Sequence, residues 1–253
     1  MIAKFILKRR FSIVFLILAI SAVFATEIAT LLYWRRQIEL AEFKNDFPRI
    51  VLAERTVLNY PNSYKKNYDF GNDYFTRNLP VWRKLFAPLK GEGLNYLEVG
   101  AYEGRSVIWM LENVLTDPNC RVTAIDLFDG PFKDKYYANI KLSGFADKVT
   151  TIENYSQLAL RELPLDSFDI IYIDGSHAKA DVLEDAVLSW RLLKKGGLLI
   201  FDDYQYIGTF DHWDMGNAYD FPKAGIDAFA QCFVDKFEVV HNDYQFIVRR
   251  KEK

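Results

Sequence analysis

The stretches IIYIDGSH at residues 170–177 and LLIFDDY at residues 198–204 decide how this chain folds. Each begins as a short apolar run and then turns polar and acidic, and such runs are typical of strands buried in a parallel sheet. The residues between them, Ala178 to Lys195, are long enough for a crossover helix, and Gly196-Gly197 predicts where that helix ends. The pair therefore predicts a strand–helix–strand unit of an α/β fold.

Four polar side chains follow these two strands: Asp174, His177, Asp202 and Asp203. Ligands of open α/β sheets bind outside the carboxyl ends of the strands, so we expect these side chains to line a ligand site. The alternative, acids solvated in surface turns, accounts for one aspartate more easily than for all of them.

The strand–helix alternation extends over the chain from Leu94 onward. Strands are predicted at residues 96–100, 121–127, 148–152, 168–174 and 198–202, helices at 104–115, 131–142, 156–163 and 223–233, and a hairpin at 237–240 and 244–248. A short helix is also expected at residues 80–89. This order predicts an α/β fold with a doubly wound, mostly parallel sheet of seven strands.

The amino-acid composition limits the classes of protein to which the chain can belong. The chain has 253 residues, of which 50% are hydrophobic and 16% aromatic, so it can bury a large core. Its net charge of −2 argues against nucleic acid as a partner, since nucleic-acid binding usually needs a strongly basic face. Cys120 and Cys232 are too few for a disulfide framework or a metal cluster, and we expect both to be buried thiols.

An apolar segment from Phe11 to Trp34 is interrupted by a single charged residue, Glu27. Spanning a bilayer takes about 20 apolar residues, so residues 1–36 are predicted to form a single-pass membrane anchor. A cleavable signal peptide is the main alternative, because Val23-Phe24-Ala25 resembles a cleavage site, and a buried core helix is a third.

The anchor prediction divides the chain into three parts. Residues 37–74 would form a juxtamembrane stalk and loop, and residues 75–253 the globular domain. Basic residues flank the apolar segment on both sides, so charge alone leaves its orientation in the membrane open.

A glycine turn follows the first predicted strand of the domain, with the sequence LEVGAYEGRS at residues 97–106. Glycines at a strand-to-helix turn let a ligand approach the backbone, and the helix that follows offers free N–H groups. A dinucleotide fingerprint would read G-x-G-x-x-G, but Glu98 takes the place of the first glycine. An acid here repels a pyrophosphate and favours a cationic amine, so the turn favours an amino-acid-like ligand. Asp126, at the end of the second strand, can accept hydrogen bonds from ribose hydroxyls.

Together these residues resemble the class I S-adenosylmethionine-dependent methyltransferases. Within that class they resemble the branch of macrolide sugar O-methyltransferases and cephalosporin-hydroxylase-type proteins. The resemblance covers about residues 75–248 and rests on the glycine turn, IDGSH, the helix that follows, GG and DDY. It implies a Rossmann-like methyltransferase fold that binds S-adenosylmethionine.

The resemblance also implies which residues bind the cofactor. Gly100 and Gly104 would form the cofactor turn, Glu98 would lie near the methionine amino group, and Asp126 would hold the ribose. Further cofactor-binding residues are Tyr102, Ser106, Leu127, Phe128, Ser156 and Asp174, of which Leu127, Phe128 and Ser156 would surround the adenine.

In the same branch, an acid after the fourth strand and an acid pair after the fifth hold a divalent metal. Asp174, Asp202 and Asp203 occupy those places, and Mg²⁺ suits such an all-oxygen set. The family's pair is often Glu-Asp, so Asp202 is shorter by one methylene. A metal held there would lower the pKa of an acceptor hydroxyl.

His177 lies three residues after Asp174. A neutral imidazole there can act as the general base that takes the acceptor's proton. Asp174 is the second predicted catalytic residue. The alternatives are a helix-capping histidine or one that supports a metal ligand.

The sequence thus predicts an enzyme that O-methylates a sugar or another small hydroxylated acceptor with metal assistance. Its domain would face the cytoplasm, where the methyl donor is made, or be secreted if the leader is cleaved. One alternative is a nicotinamide-dependent oxidoreductase, which Glu98 disfavours. The other is a non-catalytic, membrane-anchored binding protein with the same fold, which the retained aspartates and histidine disfavour. The acceptor and the oligomeric state cannot be derived from the sequence.

Overall fold

The computed structural model describes residues 64–206 and 221–252, which belong to one compact unit of the chain, residues 59–253. The predicted anchor at residues 1–36, and the stalk up to residue 63, lie outside the described residues. Within the described ranges, no helix is long and apolar enough to cross a membrane.

A seven-stranded sheet forms the centre of the domain, in the order β3-β2-β1-β4-β5-β7-β6. The strands are β1 (Asn95–Val99), β2 (Arg121–Asp126), β3 (Val149–Glu153), β4 (Phe168–Ile173), β5 (Leu193–Phe201), β6 (Phe237–Asn242) and β7 (Phe246–Arg250). The first five are parallel, and β7 pairs antiparallel with both β5 and β6. The predicted doubly wound, mostly parallel sheet of seven strands is confirmed.

Helices cover both faces of the sheet. They are α1 (Leu79–Phe86), α2 (Arg105–Asn113), α3 (Phe132–Ser143), α4 (Ser156–Glu162), α5 (Lys179–Leu192) and α6 (Pro222–Phe233). Four of them, α2 to α5, connect successive parallel strands. Successive strand residues point to opposite faces. In β4, Ile170 and Tyr172 pack in the cluster with α1, α2 and α3, whereas Ile171 and Ile173 pack in the cluster with α4, α5 and α6. Burial on both faces explains why β4 is apolar throughout.

The Gly196-Gly197 pair lies inside β5 and does not end the preceding helix, which corrects the prediction from sequence. Helix α5 ends at Leu192, and β5 begins at Leu193. Gly196 has φ +78°, and a Cβ on Gly197 would lie 2.9 Å from the carbonyl oxygen of Asp169 on β4. The glycines therefore allow an irregular start of β5 close to its neighbour, where the pairing register of β4 and β5 shifts.

The hairpin of β6 and β7 matches the prediction, although β6 ends two residues later than predicted and β7 begins and ends two residues later. β7 inserts between β5 and β6, so that β6 forms one edge of the sheet and β3 the other. The pairing of β6 with β7 contains an irregularity between Val239 and His241.

Two smaller expectations have different outcomes. The helix predicted at residues 80–89 is present as α1, Leu79–Phe86, and its Trp82 and Phe86 side chains are buried. Cys120 is buried, but Cys232 is exposed on α6, so the prediction of two buried thiols was wrong for Cys232.

Candidate active site

The predicted site residues come together because four neighbouring parallel strands end at one edge of the sheet. Backbone hydrogen bonds continue the ladder into the loops: Gly100 N–H donates to Ile125 O at 2.8 Å, and Asp174 N–H donates to Val99 O at 2.8 Å. Asp202 N–H donates in the same way to Ile173 O at 3.0 Å. The loops after β1, β4 and β5 are thereby fixed side by side.

Gly100 occupies a position that no other residue can take without moving the backbone. Its φ is +90°, and a Cβ there would lie 2.0 Å from the carbonyl oxygen of Asp174. The predicted glycine turn therefore has a physical basis, since it lets the chain leave β1 while passing close to the end of β4.

The Glu98 side chain is buried and does not lie on the surface of the site. It is fully buried, and its carboxylate accepts hydrogen bonds from the hydroxyl groups of Tyr96, at 2.6 Å, and Ser106. Burial raises the pKa of Glu98 to about 8, although the two hydroxyl donors act in the opposite direction. Ser106 thus contacts Glu98, and the predicted role of both residues in binding the cofactor stays a prediction.

Asp126 ties the glycine turn to the loop after β2. Its Oδ2 accepts the Tyr102 N–H at 2.8 Å, and its Oδ1 accepts the Phe128 N–H at 3.0 Å. Tyr102 and Phe128 have φ of +47° and +49°, so the carboxylate holds two backbone conformations that side chains rarely adopt. A carboxylate oxygen accepts more than one hydrogen bond, so ribose hydroxyls can still bind to Asp126.

The residues predicted to surround adenine differ in exposure. Leu127 is 42% exposed, whereas Phe128 is buried with its ring centroid 4.6 Å from that of Tyr136. Ser156 begins α4, next to the end of β3.

Asp174 and Asp202 share one phenol. The Tyr172 hydroxyl lies 2.8 Å from Asp174 Oδ2 and 2.5 Å from Asp202 Oδ2. A phenol carries a single proton, so one of the two contacts requires a proton on a carboxyl group. Burial, followed by repulsion between neighbouring acids, raises the pKa of both Asp174 and Asp202. The shared phenol and the raised pKa values therefore both indicate that Asp174 and Asp202 together retain a proton.

Asp203 points the other way and forms a dyad with His177. His177 Nε2 lies 2.8 Å from Asp203 Oδ2, and Asp203 Oδ1 accepts a hydrogen bond from the Tyr244 hydroxyl. Burial alone would raise the pKa of Asp203, but the hydrogen bonds from His177 and Tyr244 and the charge of His177 hold it below 3.8. The hydrogen bond to Asp203 raises the pKa of His177. The His177 side chain is 50% exposed, so the ring is open to a substrate.

The three predicted metal ligands do not form a ligand set. In the part of the chain that the structure describes, no group of three histidine, cysteine, aspartate or glutamate side chains could hold a metal ion. Donors already engage the carboxylates: Tyr172 on Asp174, Asn78 and Gln245 as well as Tyr172 on Asp202, and His177 and Tyr244 on Asp203. These carboxylates thus do not fit Mg²⁺ as they stand.

Several of these partners were not predicted from the sequence. Asn78 precedes α1, and Tyr244 and Gln245 lie in the β6–β7 turn, far along the chain from the acids that they contact. Gln245 is itself fixed by the Trp82 indole N–H, at 2.7 Å. No local motif marks these residues, because their role depends on β7 inserting beside β5.

Comparisons with known proteins agree with this fold. Residues 97–204 match the sequence model of a family described as a methyltransferase domain. A curated relative, an uncharacterised protein of Acanthamoeba polyphaga mimivirus, is 28% identical over 162 residues, which are 60% of this chain and 69% of that protein.

Solved structures with less sequence identity share the fold. A protein of Corynebacterium glutamicum is 18% identical with a TM-score of 0.57, over 72% of this chain and 84% of that one. An O-methyltransferase of Bacillus cereus in complex with S-adenosylhomocysteine is 18% identical with a TM-score of 0.51, over 73% of this chain and 84% of that one.

The fold, the glycine turn and the match over residues 97–204 are those of a methyltransferase domain. Residues 97–204 are thus similar to methyltransferase domains, in agreement with the resemblance in the sequence.

Proposed function

We propose that this chain O-methylates a small hydroxylated acceptor, such as a sugar, with His177 as the general base. The observation that carries the proposal is the dyad of His177 and Asp203, at 2.8 Å, at the sheet edge that also holds the glycine turn. The net charge of −2 favours a small acceptor over a nucleic acid.

The bound cofactor supplies an electrophilic methyl group on a sulfonium. A hydroxyl group is a weak nucleophile at neutral pH, so its proton must leave as the new bond forms. His177 Nδ1 takes this proton, while Asp203 Oδ2, hydrogen-bonded to Nε2 at 2.8 Å, orients the ring and stabilises the imidazolium. Holding the acceptor oxygen in line with the methyl group supplies a further large part of the rate.

The raised pKa of His177 suits this role. A base with a higher pKa binds the acceptor's proton more strongly, although a smaller fraction of it is unprotonated at neutral pH. The Tyr244 hydroxyl donates a hydrogen bond to the other carboxylate oxygen of Asp203, so the acid of the dyad is held in a fixed orientation.

The test is a methylation assay with purified protein, S-adenosylmethionine and a panel of sugar and catechol acceptors, read by mass spectrometry. Replacing the base, in His177→Ala, should lower kcat by about 10²–10⁴-fold. The affinity for S-adenosylhomocysteine should not change, because His177 is not at the glycine turn. His241→Ala, on the edge strand β6, is the matched control and should keep full activity.

Three results would contradict the proposal. If His177→Ala turns over like the wild type, the base lies elsewhere. If turnover stops in EDTA and returns with Mg²⁺, a metal rearranges the aspartates and performs the activation assigned to His177. Absence of transfer to every acceptor, with cofactor still bound, would favour the non-catalytic binding protein.

We further propose that residues 11–34 anchor the domain at the cytoplasmic face of a membrane. The length of the apolar segment and the cytosolic origin of the methyl donor support this. A reporter fused after Lys253 should be active in the cytoplasm, and the full chain should sediment with membranes. A soluble chain cleaved after Ala25, or an external reporter, would contradict the anchor or its orientation.

A further inference from the structure

Residues 69–74, here called the strap, run along the glycine turn and contact its residues one after another. The rings of Tyr74 and Tyr102 meet edge to face with centroids 6.2 Å apart. The next turn residue, Glu103, accepts the backbone N–H of Gly71.

Arg105, the first residue of α2, closes the far end of this contact. Its guanidinium lies 4.4 Å from the centroid of the Phe70 ring and 3.4 Å from Asp73 Oδ2. The strap thus holds the turn on both sides of Gly104.

Glu103 is the central link between the strap and the turn. Its side chain is 5% exposed, and beside the Gly71 N–H it has the Lys135 ammonium at 3.6 Å. A buried carboxylate needs such partners, since an unpaired charge is costly to bury. The fit is close, because a Cβ on Gly71 would lie 2.9 Å from Glu103 Oε1.

Asn139 of α3 locks the same two segments together through their backbones. Its side-chain amide donates to Asp69 O at 3.0 Å and to Glu103 O at 3.1 Å, and it accepts the Asp69 N–H at 3.0 Å. The Glu103 side chain and the Asn139 amide therefore fix the strap at separate points.

The turn that the strap holds is strained, and it contacts Asp126, the residue predicted to hold the ribose. Tyr102 and Gly104 have φ of +47° and +81°. The Tyr102 N–H donates to Asp126 Oδ2 at 2.8 Å. Any loosening of the turn moves this N–H away from Asp126.

We propose that Glu103 is a positioning residue for the cofactor: through the Gly71 N–H it clamps the glycine turn in the shape that binds the adenosyl group. Glu103 acts through the turn and does not touch the cofactor. This inference rests on the proposed placement of S-adenosylmethionine at Gly100, Gly104 and Asp126.

The structure offers a matched control on the same segment. Glu112 of α2 is also buried, and it accepts the Lys65 N–H at 2.7 Å and the Tyr68 hydroxyl at 2.6 Å. It fastens the chain ahead of the strap but contacts no residue of the turn in these hydrogen bonds. A role in stability alone predicts equal effects of Glu103 and Glu112, whereas a positioning role does not.

The experiment measures the Kd for S-adenosylhomocysteine by calorimetry, and Tm alongside it, in the full chain. Glu103→Ala should raise Kd by about 10-fold or more, since it removes a charge-assisted hydrogen bond that fixes the turn. Glu103→Gln keeps an acceptor for the Gly71 N–H and should restore most of the affinity. Glu112→Ala should lower Tm and leave Kd within about twofold.

Gly71→Ala keeps the test decisive if Glu103→Ala does not fold. The added methyl group would lie 2.9 Å from Glu103 Oε1, so the carboxylate must move from its place at the Gly71 N–H, which should also weaken binding. The inference is overturned if Glu103→Ala or Gly71→Ala binds like the wild type, or if Glu112→Ala weakens binding as much as Glu103→Ala. A wild-type chain that binds no S-adenosylhomocysteine overturns the placement of the cofactor itself, which is a distinguishable result.

Discussion

Glu98 is an acidic residue whose surroundings in the fold favour the neutral, protonated carboxyl group. It is fully buried, and burial raises its pKa to about 8. An unfolded chain releases this proton near the ordinary pKa of 4.5, whereas the folded chain keeps it up to about 8. The folded state therefore binds more protons between these values, and the free energy of unfolding falls as pH rises through that range.

Glu98→Gln should remove this pH dependence. The variant should gain stability relative to the wild type as pH rises from 5 to 8, by up to about 1.4 kcal/mol per pH unit. Urea unfolding at several pH values measures the difference. Glu92→Gln, at an exposed glutamate, is the control. Parallel curves for the wild type and Glu98→Gln would show that Glu98 is ionised in the folded chain.

Single residues also show how much of the site the sequence discloses. Asp126, Asp174, Asp202 and Asp203 were predicted because each follows an apolar run, and runs that end together bring their acids together. Their hydrogen-bond partners were not predicted. A partner such as Tyr244 is chosen by side-chain geometry, which has no period or motif in the sequence.

At the scale of elements, α5 and α6 pack so closely that a glycine is required between them. A Cβ on Gly225 of α6 would lie 2.2 Å from the carbonyl oxygen of Lys179 and 3.1 Å from the backbone nitrogen of Leu183. Both contacts are with backbone atoms of α5, so no side chain can turn aside to make room. Helix α5 begins just after His177, which links this packing to the site.

Gly225→Ala should push the two helices apart and destabilise the domain by about 1–3 kcal/mol or more. Chemical unfolding measures the loss, and a shift of His177 should also reduce turnover. Gly93→Ala is the matched control, because a Cβ there would have only ordinary contacts at 3.8 Å. Equal stability of the two variants would contradict the close packing of α5 on α6.

Element type was predicted more reliably than element bounds. The apolar runs and their glycine turns located every strand of the described sheet. The error at Gly196-Gly197 arose because glycine is typical both of helix ends and of strand irregularities. Whether the glycines end a helix or lie in an irregular strand depends on the position of β4 beside β5. The local sequence pattern does not reveal that position.

For the whole molecule, the strand order determines which residues can form the site. Because β1 lies between β2 and β4, the glycine turn meets Asp126 on one side and Asp174 on the other. Alternation of strands and helices predicted a parallel sheet but not the insertion of β7 next to β5. That insertion brings Tyr244 and Gln245 to Asp203 and Asp202, and it depends on contacts between distant parts of the chain.

The irregular pairing at Val240 has a consequence for the behaviour of the protein in concentrated solution. An outermost strand offers its free backbone groups to any other chain, and a regular one can seed the growth of fibrils. β6 exposes Val239 and Val240, which are apolar and β-branched and would favour such growth. A bulge breaks the even spacing of the free groups and increases the local twist, so that an incoming strand loses its register there. The irregularity in β6 therefore makes this edge a poorer template for an incoming strand than a regular strand would be.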